Sequence, residues 1–296
     1  MSLRLEMLQV ARLAPRLLGE SAGLIRKFLV DQQNPDGGFK DRTGKSDLYY
    51  TVFALDSWIA LGLEISELRC DPVAFLEIFS DGQELDFVHL CCLARARAGV
   101  RGPRRTKESD GKILARIEAY RSRDGGYGNG LNQPSGSVYG CFLGLGAYQD
   151  LGAEVPDSLR LVQCLKFLET PDGGWANDRA VPMGSVPATA AAVTLLRQLK
   201  LPVNPETGQW LLAQAHAQGG FCAVPGSPVP DLLSTATALH ALAGLDVSFE
   251  SIKESCLDFL DSLWTGEGSF HGHWEEEVLD CEYTFYGLLA LGHLSL

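Results

Sequence analysis

The sequence predicts an all-α protein in which six helical hairpins close into a ring, with residues 1–296 forming one domain. Two observations predict this fold: a glycine-aromatic loop recurs along the chain, and an apolar segment behind an Asp or Ser follows each loop. A third observation is the composition, because 46% hydrophobic and 21% charged residues can supply a large core. Together they indicate a repeat protein.

The repeated loop is a glycine pair followed by an aromatic residue. The aromatic residues lie 88, 48, 46 and 49 residues apart, so the first gap spans two periods and one copy has lost its loop. A period in this range is typical of stacked helical hairpins. The copies are Gly37-Gly38-Phe39, Gly125-Gly126-Tyr127, Gly173-Gly174-Trp175, Gly219-Gly220-Phe221 and the looser Gly268-Ser269-Phe270.

Two helices are predicted for each repeat, one before the loop and one after it. The first contains an aromatic-Leu step, and the second begins at an Asp or Ser whose side-chain oxygen can cap the first turn. Neither segment shows the alternation of a strand. The aromatic-Leu steps are Phe28-Leu29, Phe75-Leu76, Phe167-Leu168, Trp210-Leu211 and Phe259-Leu260. The predicted caps are Asp47, Asp86, Ser137, Ser185, Asp231 and Asp280.

The end of the chain favours a closed ring over an open array. Open arrays usually need polar capping repeats at both ends, whereas the last segment, 286–296, is as apolar as the middle repeats. In a closed ring the second helices form the inner wall, and their N-termini surround one mouth. Unpaired N–H groups and helix dipoles at that mouth are expected to favour an anion such as a diphosphate or a carboxylate.

Aromatic side chains occupy the first turns of several predicted inner helices. An aromatic-lined cavity suits an isoprenoid chain, and aromatic faces can stabilise a carbocation. The competing interpretation is that these rings only fill the barrel, as they would in a non-catalytic isoprenoid-binding or scaffold protein. The rings are those of Tyr49, Tyr50, Phe53, Tyr139, Phe142, Tyr283, Phe285 and Tyr286.

Charge and cysteine content exclude other classes. A net charge of -12 without a dense basic patch argues against nucleic acid and against an anionic membrane surface. The one basic cluster, Arg101, Arg104, Arg105 and Lys107, is interpreted as a solvated loop. The eight cysteines form no CxxC pair and suggest reduced thiols. No secretory signal or bilayer-spanning run is visible, so we expect a cytoplasmic protein without membrane insertion.

The stretch Asn34-Pro-Asp-Gly-Gly-Phe-Lys-Asp-Arg-Thr-Gly-Lys-Ser-Asp-Leu-Tyr-Tyr-Thr resembles a repeat of protein prenyltransferase β-subunits. There, a Gly-Gly-aromatic loop and a basic linker precede an Asp-x-x-His-Thr helix start. The loop at 168–175 is similar to the repeats of squalene cyclases. The resemblance covers nearly the whole chain and implies an α/α toroid. It also implies transfer of a prenyl group from an allylic diphosphate, and a helical partner like the α-subunit of the eukaryotic enzymes.

The resemblance further implies a zinc ion that binds the substrate thiolate and keeps it nucleophilic. Asp280 matches the family's aspartate, but Glu282 stands where its cysteine should be and Tyr50 replaces its histidine. An alternative set, Asp47 with His89, supplies the histidine and again lacks the cysteine. The ligand set is incomplete, so the cofactor is unknown from the sequence.

Proton-initiated terpene cyclases, which the chain also resembles, have Asp-x-Asp-Asp at the equivalent helix start and keep one carboxyl group protonated to attack an alkene. The segment Asp280-Cys-Glu282-Tyr283 preserves acids at the first and third positions. A glutamate beside another carboxyl group in an apolar cavity is expected to have a raised pKa, as a general acid requires. The first alternative to prenyl transfer is therefore an acid-initiated cyclase or isomerase that uses Asp280 and Glu282.

Basic linker residues would bind the diphosphate in the prenyltransferases. The linker that should carry them, 271–277, is acidic in this chain, and Arg42 and Lys45 are the nearest substitutes. The predicted substrate-binding residues are Arg42, Lys45, Tyr49, Tyr50, Tyr139, Tyr283 and Tyr286.

Overall fold

Helices make up most of the protein in the computed structural model, which describes residues 1–100 and 106–296. The predicted basic cluster at Arg101, Arg104 and Arg105 lies outside the described residues. The helices are α1 (Leu3–Ala11), α2 (Pro15–Leu18), α3 (Ala22–Gln32), α4 (Leu48–Ala60), α5 (Pro72–Ile78), α6 (Phe87–Val100), α7 (Lys107–Glu118), α8 (Val138–Asp150), α9 (Ser158–Phe167), α10 (Val186–Gln198), α11 (Glu206–Leu212), α12 (Leu232–Gly244), α13 (Lys253–Leu263) and α14 (Cys281–Leu294).

Short strands and single turns of 3₁₀-helix complete the described secondary structure. β1 (Phe39–Lys40) pairs antiparallel with β2 (Ser46–Asp47), and β3 (Phe221–Cys222) pairs in the same way with β4 (Pro230–Asp231). Each pair joins a glycine-aromatic loop to the start of the helix that follows. The 3₁₀ turns cover Gly19–Ser21, Ile65–Glu67 and Glu250–Ile252.

The helices α4, α6, α8, α10, α12 and α14 form an inner ring. Each packs against the next one around the ring, and α14 returns to pack against α4. Outer helices lie against this ring: α3 contacts α4 and α14, α5 contacts α6, and α7 contacts both α6 and α8. The closed ring of hairpins and the all-α class predicted from the sequence are confirmed.

Side chains cap the inner helices as the sequence predicts. Asp47 accepts hydrogen bonds from the backbone N–H groups of Tyr49 and Tyr50, and Asp280 accepts one from Tyr283. A cap of this type is worth about 1 kcal/mol of stability. The other inner helices are capped in the same way by Asp86, Ser137, Ser185 and Asp231.

All the inner helices begin at the same end of the ring. The backbone N–H of Val186, at the start of α10, donates to the carbonyl of Ala223 in the linker before α12. Leu232, at the start of α12, bonds in the same way to Gly272 in the linker before α14. The helix starts and their linkers therefore surround one mouth.

Glycine allows the hairpins to approach each other closely. The first glycine of the five loops has a positive φ between 91° and 94°, a conformation that other residues rarely adopt. At Gly37 a Cβ atom would lie 2.3 Å from the carbonyl oxygen of Asp71, at the start of the next outer helix. The N–H of Phe39 then donates to Thr51 Oγ1 at 2.9 Å, which ties the loop to the inner helix.

The helix α1 lies outside the repeat and crosses the ring at the end opposite the mouth. Its N-terminal N–H, at Leu3, donates to Gln149 Oε1 near the end of α8 at 2.8 Å. Arg4 Nε donates to Asp56 Oδ1 of α4 at 2.8 Å. Glu6 accepts a hydrogen bond from Arg197 Nη1 near the end of α10 at 2.8 Å. Because α1 is fixed to three inner helices, it forms the floor of the ring.

The core lies between the two layers of helices. Among its fully buried large side chains are Trp58, Phe87, Tyr127 and Phe259. The eight cysteines are free thiols, and all except Cys70 are buried. Within the described ranges, none of the helices combines the length and the apolar character needed to cross a bilayer.

Candidate active site

The inner ring encloses a cavity of about 270 Å³. An adjoining space of about 70 Å³ continues from it toward α1. The aromatic wall of the 270 Å³ cavity is tightly packed. The centroid of the Phe53 ring lies 5.0 Å from that of Tyr49, 5.5 Å from that of Tyr286 and 5.9 Å from that of Phe285. On the opposite side α10 contributes the small side chain of Ala190. The cavity is therefore suited to an apolar, elongated molecule.

Glu282 places a carboxyl group on the wall of this cavity. It stands in the first turn of α14, and Tyr49 Oη donates a hydrogen bond to its Oε1 at 2.5 Å. Burial raises the pKa of Glu282 to about 7, although the Tyr49 hydrogen bond opposes the shift, and the negative charge of Asp280 adds to it. A substantial fraction of Glu282 is therefore protonated at neutral pH.

Asp280 has a different environment, although it lies only two residues away. It is buried, its Oδ1 caps α14 by accepting from the N–H of Tyr283, and its Oδ2 accepts from Arg42 Nε at 3.0 Å. Arg42 also binds Glu276 at 3.1 Å and lies 5.6 Å from the centroid of the Tyr283 ring. Burial raises the pKa of Asp280 against the opposing cap and arginine. Asp280 thus fixes the start of α14 at the ring closure.

His89 lies between two carboxylates at the mouth. Its Nε2 is 3.1 Å from Asp47 Oδ2, and its Nδ1 is 2.9 Å from Asp86 Oδ1. The hydrogen bond with Asp47 raises the pKa of His89 to about 9, with burial opposing and Asp86 adding to the shift. The imidazolium therefore joins α4 to α6 at the repeat that has lost its glycine loop.

The donor atoms present do not fit a zinc ion. In the described part of the chain, no group of three or more His, Cys, Asp or Glu side chains converges on a metal position. Asp280 and Glu282 bind an arginine and a tyrosine, and both ring nitrogens of His89 bind carboxylates. Burial raises the pKa of Cys281 well above its ordinary value, so this thiol stays protonated. Zinc remains a prediction from the resemblance, without support from these donors.

The predicted substrate-binding residues are divided between the cavity and the mouth. Tyr50 and Tyr283 lie close to Arg42 at the mouth, and Lys45 is exposed on the turn between β1 and β2. The predicted residues that line the cavity are Tyr49, Tyr139, Glu282 and Tyr286.

A charged cluster at the floor of the cavity is not predicted from the sequence. Arg95 of α6 lines the cavity and binds Asp56 of α4, with Nε 2.8 Å from Oδ2. Asp56 also binds Arg4, and the Arg95 guanidinium lies 5.8 Å from the ring centroids of Phe53 and Phe285. The clue that could have found this cluster is one acidic residue within the apolar sequence of α4.

A histidine pair is a second feature that the repeat pattern does not reveal. His240 of α12 lines the cavity, and its Nδ1 lies 3.1 Å from His293 Nε2 of α14. Burial lowers the pKa of His240 to about 4 and that of His293 to about 3. Both imidazoles are therefore neutral near pH 7.

The family model of the prenyltransferase alpha-alpha toroid domain matches residues 16–75 and 186–294, more than half of the chain. No curated protein matches the sequence significantly. Among solved structures, the type II terpene cyclase MstE from Scytonema, in complex with merosterolic acid A, has a TM-score of 0.61 at 14% identity. This alignment covers 95% of this chain and 97% of that chain.

Two other structural neighbours are a protein prenyltransferase and a diphosphate synthase. The protein geranylgeranyltransferase-I of Candida albicans, complexed with GGPP, has a TM-score of 0.53 at 14% identity and covers 98% of this chain and 82% of that chain. The ent-copalyl diphosphate synthase of Streptomyces platensis has a TM-score of 0.50 at 19% identity. Its alignment covers 84% of this chain and 50% of that chain. At such identities the neighbours establish the fold alone. The chain belongs to the prenyltransferase alpha-alpha toroid domain family.

Proposed function

We propose that the protein is an acid-initiated terpene cyclase or isomerase in which Glu282 is the general acid. The observation that carries this proposal is a carboxyl group with a raised pKa on the wall of an aromatic cavity, held by the hydroxyl of Tyr49. A general acid works best when its pKa lies near the working pH. The pKa of Glu282, about 7, meets this requirement.

The proposed reaction begins with proton transfer to an alkene. The O–H bond of Glu282 breaks, a new C–H bond forms, and positive charge develops on the neighbouring carbon. In a cyclase a second alkene attacks this carbon, which forms a C–C bond and moves the charge along the chain. A water molecule takes a proton from a carbon beside the final cation, which restores an alkene, and the Glu282 carboxylate regains a proton from the solvent. The product is an isomer of the substrate.

The cavity wall can stabilise the cationic intermediates. Aromatic faces attract a cation, by about 0.5 to 2 kcal/mol each depending on how well water is excluded. Tyr49 contacts Glu282, and the rings of Phe53 and Tyr286 line the same cavity, so the charge would develop in an aromatic environment.

The similarity to MstE supports an isoprenoid as the ligand class. MstE, a type II terpene cyclase, has been solved in complex with geranylgeranyl dihydroxybenzoate as its substrate. Prenyl transfer, the activity that the resemblance implies, receives less support, because a thiolate acceptor would need a zinc site, and the zinc donors do not come together among the described residues. A helical partner subunit stays a prediction from the resemblance.

Replacement of the acid tests the proposal. The purified protein is incubated with farnesol, geranylgeraniol and squalene, and products of unchanged mass are sought by gas chromatography and mass spectrometry. Glu282→Gln should lower the rate by about 10²- to 10⁴-fold. Glu275→Gln, which removes an exposed carboxylate from the linker before α14, is the matched control and should retain activity. Full activity of the Glu282 variant would contradict the proposed role.

A further inference from the structure

The inner helix N-termini already hold side-chain caps, which leaves them less available to an anion than the sequence predicts. Each inner helix carries a side-chain cap that already accepts from the N–H groups of its first turn. At four of the six helix starts the cap is an aspartate, so a carboxylate already occupies the positive end of the helix dipole. These aspartates are Asp47, Asp86, Asp231 and Asp280.

Arg42 and His89, two cations at the mouth, are paired with carboxylates. Arg42 binds both Asp280 and Glu276, with atoms 3.0 Å and 3.1 Å apart. The backbone N–H of Val278 and the nearby Arg42 lower the pKa of Glu276, so it is ionised at neutral pH. His89 at the mouth lies between two aspartates.

The guanidinium at the floor of the cavity, opposite the mouth, lies against an acid that it shares with a second arginine. Arg95 Nε donates to Asp56 Oδ2 at 2.8 Å, and Asp56 Oδ1 accepts from Arg4 Nε at 2.8 Å. Lys45 has an exposed side chain on the hairpin turn, and no ion pair joins it to other described residues. A single exposed ammonium group offers weak attraction to a ligand headgroup because water and salt screen it.

We infer that the substrate of this site is an uncharged isoprenoid, such as an alcohol or an olefin, and that the capped and acidic mouth disfavours an isoprenoid diphosphate. This inference rests on the proposed function and specifies its substrate class. A diphosphate would bring several negative charges toward Asp280 and Glu276, and like charges brought together at a binding site weaken binding.

A divalent cation does not remove this difficulty. Magnesium binds diphosphates in other sites through one or two free carboxylates. At the mouth, Asp280 and Glu276 are bound to Arg42 and Asp47 is bound to His89, and no group of three metal-binding side chains is formed among the described residues. We therefore expect magnesium to leave the preference for an uncharged ligand unchanged.

The test compares farnesol with farnesyl diphosphate, two ligands that share one hydrocarbon chain. Equilibrium dialysis of the full chain, with and without Mg²⁺, should give a dissociation constant at least about tenfold lower for farnesol. Added salt screens electrostatic repulsion, so the affinity for farnesyl diphosphate should rise with ionic strength while that for farnesol stays constant. Tighter binding of the diphosphate, or a diphosphate affinity that falls with salt, would overturn the inference.

A matched pair of variants assigns the effect to the mouth. Glu276→Gln removes one carboxylate and frees Arg42 Nη1, so it should raise the affinity for farnesyl diphosphate about fivefold and leave farnesol unchanged. Glu254→Gln makes the same charge change at the start of the outer helix α13 and should change neither affinity. Binding of farnesyl diphosphate alone would refute the inference and leave isoprenoid binding in place. Binding of neither ligand would refute the proposed function as well.

Discussion

Two carboxyl groups in one short motif have different environments. Neighbouring positions on a helix point in different directions, so residues two apart do not share a face. Asp280 is buried against Arg42 at the helix start, whereas Glu282 lies on the cavity wall. The sequence predicted the acidic pair and a raised pKa for the glutamate. It could not predict the hydrogen bond from Tyr49, because this partner lies 233 residues away and meets Glu282 only when the ring closes.

Removal of the Tyr49 hydroxyl should change the pH dependence of the reaction. This hydroxyl donates to the ionised form of Glu282 and therefore holds its pKa down. The active form is the protonated acid, so the wild-type rate should fall as the pH rises above about 7. In Tyr49→Phe the pKa should rise by roughly one unit, the loss of about 1.5 kcal/mol from one charge-assisted hydrogen bond. A pH–rate profile measures the shift.

Tyr139→Phe is the control for that profile. Tyr139 also lines the cavity, but the hydrogen bond to Glu282 Oε1 comes from Tyr49. The Tyr139 variant should lose rate at the same pH as the wild type. An unchanged profile in Tyr49→Phe would show that the tyrosine does not tune the acid.

At the scale of elements, the sequence predicts the structural features that recur in every repeat and misses those that lie outside the repeats. All six caps and the hairpin order follow from a pattern that recurs. The role of α1 does not, because this helix has no counterpart in the other repeats, and its position depends on contacts such as Glu6 with Arg197 across the ring. For the same reason the cluster of Arg4, Asp56 and Arg95 emerges only from the packed structure.

The floor formed by α1 should set the length of the substrate. Met7 of this helix is buried and lines both the cavity and the adjoining space. Met7→Ala should extend the cavity and raise the ratio of kcat/KM for a C20 over a C15 isoprenoid by about tenfold or more, at a cost of about 2 kcal/mol in stability. Leu5→Ala on the same helix is the control, since its side chain is 48% exposed and should affect neither quantity. An unchanged chain-length preference in Met7→Ala would show that α1 is not the floor of the binding site.

At the scale of the whole molecule, the candidate site lies where the first and last repeats meet. Arg42 and Tyr49 of the first repeat bind Asp280 and Glu282 of the last. The sequence predicts this closure because the last helix is apolar and needs a partner. The size of the cavity and the pairing of its charges depend on side-chain packing around the full ring, which no local pattern specifies.

Close packing between hairpins gives a test of this architecture. Gly37 and Gly44 both have positive φ, 93° and 88°, so Ala at either position should cost about 1 to 2 kcal/mol in backbone strain. A Cβ at Gly37 would also collide with the backbone of Asp71 in the next hairpin, whereas Gly44 has open space around it. Urea unfolding should therefore show a loss of free energy at least about 2 kcal/mol larger for Gly37→Ala than for Gly44→Ala. Equal losses would mean that contact between hairpins at this loop contributes little to the fold.

Solvent deuterium tests the central claim most directly, because the proton that starts the reaction comes from Glu282, which exchanges with water. The reaction is run in D₂O, and the product is analysed by mass spectrometry. Acid initiation predicts a product that carries one deuterium on carbon and is one mass unit heavier than its unlabelled isomer. A product without deuterium on carbon would contradict protonation by Glu282 as the first step.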